Sequence, residues 1–109
     1  MSSELVPKVL ELLKSHKVLQ FSASWCPDCR YANSVWKKLG IENKIYVFDI
    51  ASFPRPDQEQ WRSAFQQVTG SRNLPSIYYN GTLWGTESQL HAFENNGTLR
   101  DELRKIGLL

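Results

Sequence analysis

Cys26 and Cys29 are the two cysteines of the chain, and only Pro27 and Asp28 separate them. Two thiols at that spacing can exchange disulfides. One thiolate attacks a disulfide sulfur, and the second thiol displaces what the first has captured. The pair follows an apolar run, Val18 to Ser22, and opens a helical pattern. That strand–helix context separates a redox pair from a chance coincidence of two cysteines. Cys26 stands at the helix N-terminus, where unpaired N–H groups and the helix dipole favour an anion. The thiolate is the reactive form, so Cys26 reads as the attacker. Cys29, one turn on and deeper, reads as the resolving thiol. Pro27 suits the first helical position and stiffens the motif.

Two other fates exist for such a pair. Inert core cysteines would not be expected at this spacing on a strand–helix junction. A metal site would need further ligands, and His16 and His91 could supply them. They lack the short spacing of a metal-binding histidine pair and belong to different helices, so no metal is expected. Asp28 keeps two readings. Its carboxylate disfavours the Cys26 thiolate, with Arg30 offsetting part of this, or it is a solvated first-turn acid that suits the dipole.

The elements that must position the pair follow from hydrophobic periodicity. Ser3 caps a first helix with Pro7 in its first turn and an apolar stripe of Leu5, Val9, Leu12 and Leu13. Val18 to Ser22 is a buried strand. The helix from about Pro27 carries Ala32, Val35, Trp36 and Leu39 and stops at Gly40. Ile45 to Ile50 is the second strand. Ala51 to Pro56 holds two prolines and reads as a loop, one that looks long and has no assigned role. Asp57, with Gln60 completing a capping box, starts a helix bearing Trp61, Ala64, Phe65 and Val68 and ending at Thr69-Gly70. Ser76 to Tyr79, Asn80-Gly81 and Thr82 to Trp84 form a hairpin. Two helices close the chain. One carries Leu90 and Phe93, and the other carries Leu99, Leu103 and Ile106. The order αβαβαββαα predicts a right-handed parallel crossover followed by an antiparallel hairpin. The result is an α/β fold, a four-stranded mixed sheet with helices on both faces.

Bulk properties fit one domain over residues 1–109 with a single set of core residues. The chain is 41% hydrophobic and 22% charged. A net charge of +2 gives no reason to expect nucleic acid as a partner. No apolar run reaches the roughly 20 residues of a membrane span, and Met1-Ser2-Ser3-Glu4 does not resemble a secretory leader. The expected location is therefore the cytoplasm, where a structural disulfide would not persist and two cysteines need another purpose. Nothing demands more than a monomer.

Beyond the cysteine pair, the chain resembles the glutaredoxins. Phe65-Gln66-Gln67-Val68-Thr69-Gly70-Ser71-Arg72-Asn73-Leu74-Pro75 looks like the family's helix leading into its Thr-Val-Pro loop. Ser76-Ile77-Tyr78-Tyr79-Asn80-Gly81 looks like the following strand and turn. Glu94 to Leu99 and Leu103 to Gly107 fit its C-terminal helices. The resemblance covers nearly the whole chain and implies a thioredoxin fold with glutathione chemistry. It makes Pro75 a cis-proline facing Cys26, with the Leu74 backbone offered to the substrate. It puts Arg62 where the family holds glutathione's glycine carboxylate, although a solvated helix residue would look the same. It makes Ser88 the residue whose N–H meets the γ-glutamyl carboxylate. Pro27 and Gln89 complete that contact set.

Departures from the family pattern predict weak glutathione binding. Ala23 replaces a usual lysine, Asp28 a usual tyrosine, Gly85-Thr86 the usual Gly-Gly, and Gln89 an aspartate. Trp25-Cys26-Pro27-Asp28-Cys29 instead resembles small thioredoxin-related proteins, with Trp25 either a flat surface for a peptide or partly buried. Thioredoxins hold a buried Asp where this chain has Gln20, which cannot accept a proton from Cys29. The expectation is an atypical dithiol glutaredoxin of low activity. Its donor is glutathione and its partners are glutathionylated or disulfide-bonded proteins. The alternatives are a thioredoxin-related protein fed by thioredoxin reductase, or a non-catalytic module that binds glutathione or a partner.

Overall fold

The structure, a computed structural model, describes residues 2–109. Helix α1 (Ser2–Ser15) leads into β1 (Val18–Ser22), α2 (Pro27–Leu39), β2 (Tyr46–Asp49), α3 (Arg55–Thr69), β3 (Ser76–Tyr79), β4 (Thr82–Thr86), α4 (Glu87–Asn96) and α5 (Leu99–Lys105). The sheet order is β2-β1-β3-β4. β1 runs parallel to β2, with Leu19 opposite Tyr46, and antiparallel to β3, with Leu19 opposite Tyr78. This is the mixed sheet of the thioredoxin fold.

Every residue of β1 is buried, because alternate side chains feed two separate cores. Leu19 and Phe21 point to the α1–α3 side, where Val9, Leu13, Ala64 and Phe65 meet them. Val18 points to the opposite side, among Ala32, Val35, Trp36, Leu90 and Leu103. Phe21 stacks on Phe65 with ring centroids 3.9 Å apart. The strand that delivers Cys26 is therefore held on both faces and along both edges.

Three boundaries differ from the sequence expectations. Ser3 lies inside α1 rather than capping it. The segment after β2 is not a plain loop: Ile50–Ser52 makes a short 3-10 turn, and α3 already begins at Arg55. Its cap is Pro54, whose carbonyl accepts from the N–H groups of Asp57 and Gln58 at 2.9 and 3.0 Å. Pro56 is tolerated there because first-turn N–H groups need no helical partner. The Asp57–Gln60 capping box is therefore not used. β4 runs on to Thr86, because a bulge between Ile77 and Tyr78 restores pairing at Gly85 and Thr86. Asn80 and Gly81 both take positive φ, 50° and 81°, as a two-residue hairpin turn requires.

Candidate active site

Cys26 is the N-cap of α2, with extended backbone (φ −89°, ψ 124°) and no side-chain hydrogen bond closing the helix end. Its N–H donates to the Ala23 carbonyl at 2.9 Å, and its own carbonyl accepts from Arg30 at 3.1 Å. The first-turn N–H groups make no hydrogen bond to its side chain and, like those of any helix start, have no partner within the helix. Cys26 Sγ also lies 3.6 Å from the Leu74 carbonyl oxygen, to which its thiol donates. The Leu74–Pro75 peptide is cis. The turn leading there is pinned by Ser71 and Ser76, whose hydroxyls lie 2.8 Å apart, and by Ser76 Oγ donating to the Asn73 carbonyl at 2.7 Å.

Cys29 is completely buried. The Ala23 N–H donates to its sulfur at 3.4 Å. Burial is the largest influence on this thiol and outweighs the hydrogen bonds from Ser22 and Ala23, which favour the thiolate. The thiol is pushed up to about 11. Below it lies a closed polar network. Gln20 Nε2 donates to Ser22 Oγ at 3.1 Å and to Asn33 Oδ1 at 2.9 Å, and Trp36 Nε1 donates to Gln20 Oε1 at 2.7 Å. Gln20 is a satisfied core amide and takes no proton from Cys29. Ser22 accepts from Gln20, which leaves its own hydroxyl proton for Cys29.

A cleft of about 250 Å³ opens beside Cys26, lined by Trp25, Asp28, Arg62, Asn73, Leu74 and Glu87. Trp25 is 46% exposed, so its ring is a surface rather than a packing element. It is nevertheless held in place. Its Nε1 donates to Gln58 Oε1 at 2.9 Å, and the Arg55 guanidinium lies 5.6 Å from its ring centroid. Gln58 is itself fixed by donating to the Phe53 carbonyl at 2.8 Å. The proline-containing segment after β2 thus has a structural use: its Phe53 carbonyl anchors Gln58, and it leads directly into the first turn of α3, which carries Arg55 and Gln58. Arg62 Nε donates to the Arg72 carbonyl at 3.1 Å, which holds its guanidinium in the cleft wall. Arg72 itself pairs with Glu59 and is engaged there. Arg30 Nη1 donates to the Ser24 carbonyl at 3.1 Å, and no ion pair links it to Asp28 among the described residues.

Of the residues singled out in the sequence, Trp25, Cys26, Arg62 and Leu74 meet in this cleft, flanked by Pro27 and Pro75. Ser88 and Gln89 lie at the start of α4. There the Ser88 N–H donates to Thr86 Oγ1 at 3.3 Å. Gln89 Oε1 accepts from the Thr86 N–H at 2.7 Å, so both groups are engaged in a capping box. Gln89 folds over Gly85, where any added Cβ would lie 2.9 Å from the Gln89 Cβ. Sequence reasoning missed Gln58, Asn73 and Glu87. Glu87 had one visible signal, an acid at the first position of a helix, which reads equally well as a dipole partner. His16 stacks on Tyr46 and His91 on Tyr31, and no group of three or more potential metal ligands gathers among the described residues.

The glutaredoxin family profile matches residues 18–84. Glutaredoxin-8 of Saccharomyces cerevisiae is 64% identical over 107 residues, 98% of each chain. The solution structure of a yeast dithiol glutaredoxin superposes with a TM-score of 0.90 at 64% identity, covering 98% of each chain. A crystal structure of a buckwheat glutaredoxin–glutathione complex shares the fold, with a TM-score of 0.77 at 20% identity over 99% of this chain and 94% of that one.

Proposed function

Because the chain belongs to the glutaredoxin family and is a thiol–disulfide oxidoreductase, we propose that Cys26 is its attacking thiolate, Cys29 its resolving thiol and glutathione its electron donor. The observation that carries this reading is the contrast between the two sulfurs. Cys26 caps a helix at the rim of a cleft, whereas Cys29 is fully buried and held protonated at neutral pH.

In the first step the Cys26 thiolate attacks the glutathione sulfur of a protein–glutathione mixed disulfide. The new bond joins Cys26 to glutathione, and the substrate protein leaves as a thiolate. A second glutathione thiolate then attacks that glutathione sulfur, releasing oxidised glutathione and restoring Cys26. With a protein disulfide, Cys26 first joins the substrate. Cys29 then loses its proton and attacks Cys26 Sγ, the substrate's second thiol leaves, and two glutathiones reduce the resulting Cys26–Cys29 bond. The high proton affinity of Cys29 slows that second route and favours the first. The helix end stabilises Cys26 both as attacker and as leaving group.

Glutathione binds on this reading with its glycine carboxylate toward Arg62 and its cysteine backbone along Leu74, with Pro27 and Pro75 on either side of the sulfur and Trp25 beside the cleft. A buckwheat glutaredoxin of the same fold is known in complex with glutathione. Ser88 and Gln89 contribute little to binding, because the capping box uses the Ser88 N–H and the Gln89 side chain. The outcome is weak glutathione binding and low turnover, with glutathionylated or disulfide-bonded proteins of the cytoplasm as substrates for a monomeric enzyme.

NADPH consumption with a glutathionylated peptide tests this, with glutathione and glutathione reductase in one arm and thioredoxin reductase alone in the other. Turnover confined to the glutathione arm supports the proposal. Turnover confined to the second arm transfers the chain to a thioredoxin-type donor.

A further inference from the structure

Cys29 must lose a proton before it can attack, yet it is fully buried and no carboxylate acts on it among the described residues. The groups that do are the Ser22 hydroxyl, the Ala23 N–H and Cys26, which is the one titratable neighbour of the three. Gln20 lies beneath them, and all the hydrogen-bonding capacity of its amide nitrogen is spent. Its Nε2 donates to Ser22 Oγ and to Asn33 Oδ1, and its Oε1 accepts from Trp36 Nε1. An indole N–H only donates, so Oε1 must face Trp36 and Nε2 must face Ser22. Ser22 Oγ is therefore an acceptor toward Gln20, and its single proton points elsewhere. Gln20 and Ser22 are both buried, so solvent does not take that proton. Cys29 Sγ receives it. A hydroxyl that already accepts from an N–H is polarised into a stronger donor.

We infer that the Ser22 hydroxyl, oriented by the Gln20 amide, stabilises the Cys29 thiolate in the resolving step, so that the second cysteine is assisted by a fixed donor rather than by a base. The inference deepens the proposed dithiol route and rests on the attack by Cys26. In the resolving step Cys29 Sγ gives up its proton to water. Its thiolate then bonds to Cys26 Sγ, the bond between Cys26 and the captured half breaks, and that half leaves as a thiolate. Ser22 keeps its own proton throughout and supplies only the hydrogen bond. Over both steps the dithiol gives two electrons to the disulfide, and no further reductant enters this half-reaction.

Single-turnover oxidation of the fully reduced, desalted chain by one equivalent of dithiodipyridine tests this without any donor system. Attack by Cys26 releases the first coloured thiopyridone, and ring closure by Cys29 releases the second. In Ser22→Ala the ratio of the second rate to the first is expected to fall about three- to tenfold at pH 7. Loss of a hydrogen bond to a charged group lowers the thiolate fraction at least about tenfold, and the greater nucleophilicity of a more basic thiolate returns about threefold of it. The deficit should narrow as pH rises toward about 11, where Cys29 of the parent chain is already ionising. A purely structural loss would slow both releases together at every pH. An unchanged ratio, or a deficit that stays constant to high pH, overturns the role of Ser22 while leaving Cys26 as the attacker. Asn33→Ala, on α2, frees the Gln20 amide without altering β1 and serves if Ser22→Ala does not fold. There the ratio is expected to fall about twofold, and an unchanged ratio overturns the inference. A fast first release from Cys26→Ser overturns the attack by Cys26 and the inference with it.

Discussion

Two helices present their N-termini to this end of the sheet, and they treat an incoming anion in opposite ways. α2 begins at Cys26 without a side-chain cap, so its first-turn N–H groups are left unclaimed. α4 begins at Thr86 with a complete capping box, and its next residue, Glu87, is an acid in the cleft wall. The first terminus keeps its donors open beside Cys26. The second has spent its donors internally and adds a negative charge. A helix N-terminus is thus an anion site only when its own sequence leaves it open.

The largest effect should come from removing the sulfur that the open terminus serves. Cys26→Ser is expected to lower turnover of a glutathionylated peptide by at least about a thousandfold, whereas Cys29→Ser keeps most of it. The coupled NADPH assay reads both. Equal loss in the two variants would remove the functional contrast between the sulfurs.

Next comes the pH dependence of the buried thiol. In Cys26→Ser, alkylation of Cys29 by iodoacetamide should be very slow at pH 7. It should rise about tenfold per pH unit toward the value of about 11 that burial imposes. The folded chain keeps this proton to higher pH than the unfolded chain does. Stability should therefore fall as pH rises from the ordinary thiol range to about 11, by denaturant melts at successive pH values. A flat alkaline profile would contradict the burial of Cys29.

A smaller effect tests whether the open terminus is already compromised. Asp28→Asn removes a carboxylate from the cleft wall and should speed alkylation of Cys26 at pH 7 by a few-fold, more at low salt. No acceleration would mean that solvent screens this charge completely.

The smallest effect would come from opening the closed terminus. Thr86→Ala removes the hydroxyl that takes the Ser88 N–H. It should cost about 1 kcal/mol of stability and lower the KM for glutathione two- to threefold, as that N–H turns to the ligand. A stability loss with unchanged KM would show that the Ser88 N–H is no glutathione contact.

The sequence by itself determined the element order, the two-sided burial of β1 and the placement of Cys26 at a helix start. Those features follow from period-2 and period-3.6 patterning and from local chain chemistry, which act between near neighbours. The Asn80-Gly81 turn and the Gly40 and Gly70 helix stops were legible for the same reason. The start of α3 was misread because two prolines look like a loop until Pro54 is seen to cap the helix with its carbonyl. Only the tertiary structure decided which groups are free. Gln58, 33 residues from Trp25, holds that ring. Leu74, 48 residues from Cys26, reaches its sulfur. Ser88 matches the family pattern in sequence and Gln89 departs from it, yet Thr86 engages the Ser88 N–H and the Gln89 side chain alike. Glu87 reads as an ordinary first-turn acid, and only the packed structure shows one of its oxygens buried without a hydrogen-bond partner among the described residues. Availability of a donor or acceptor depends on every neighbour the fold brings to it, and spacing along the chain does not contain that information.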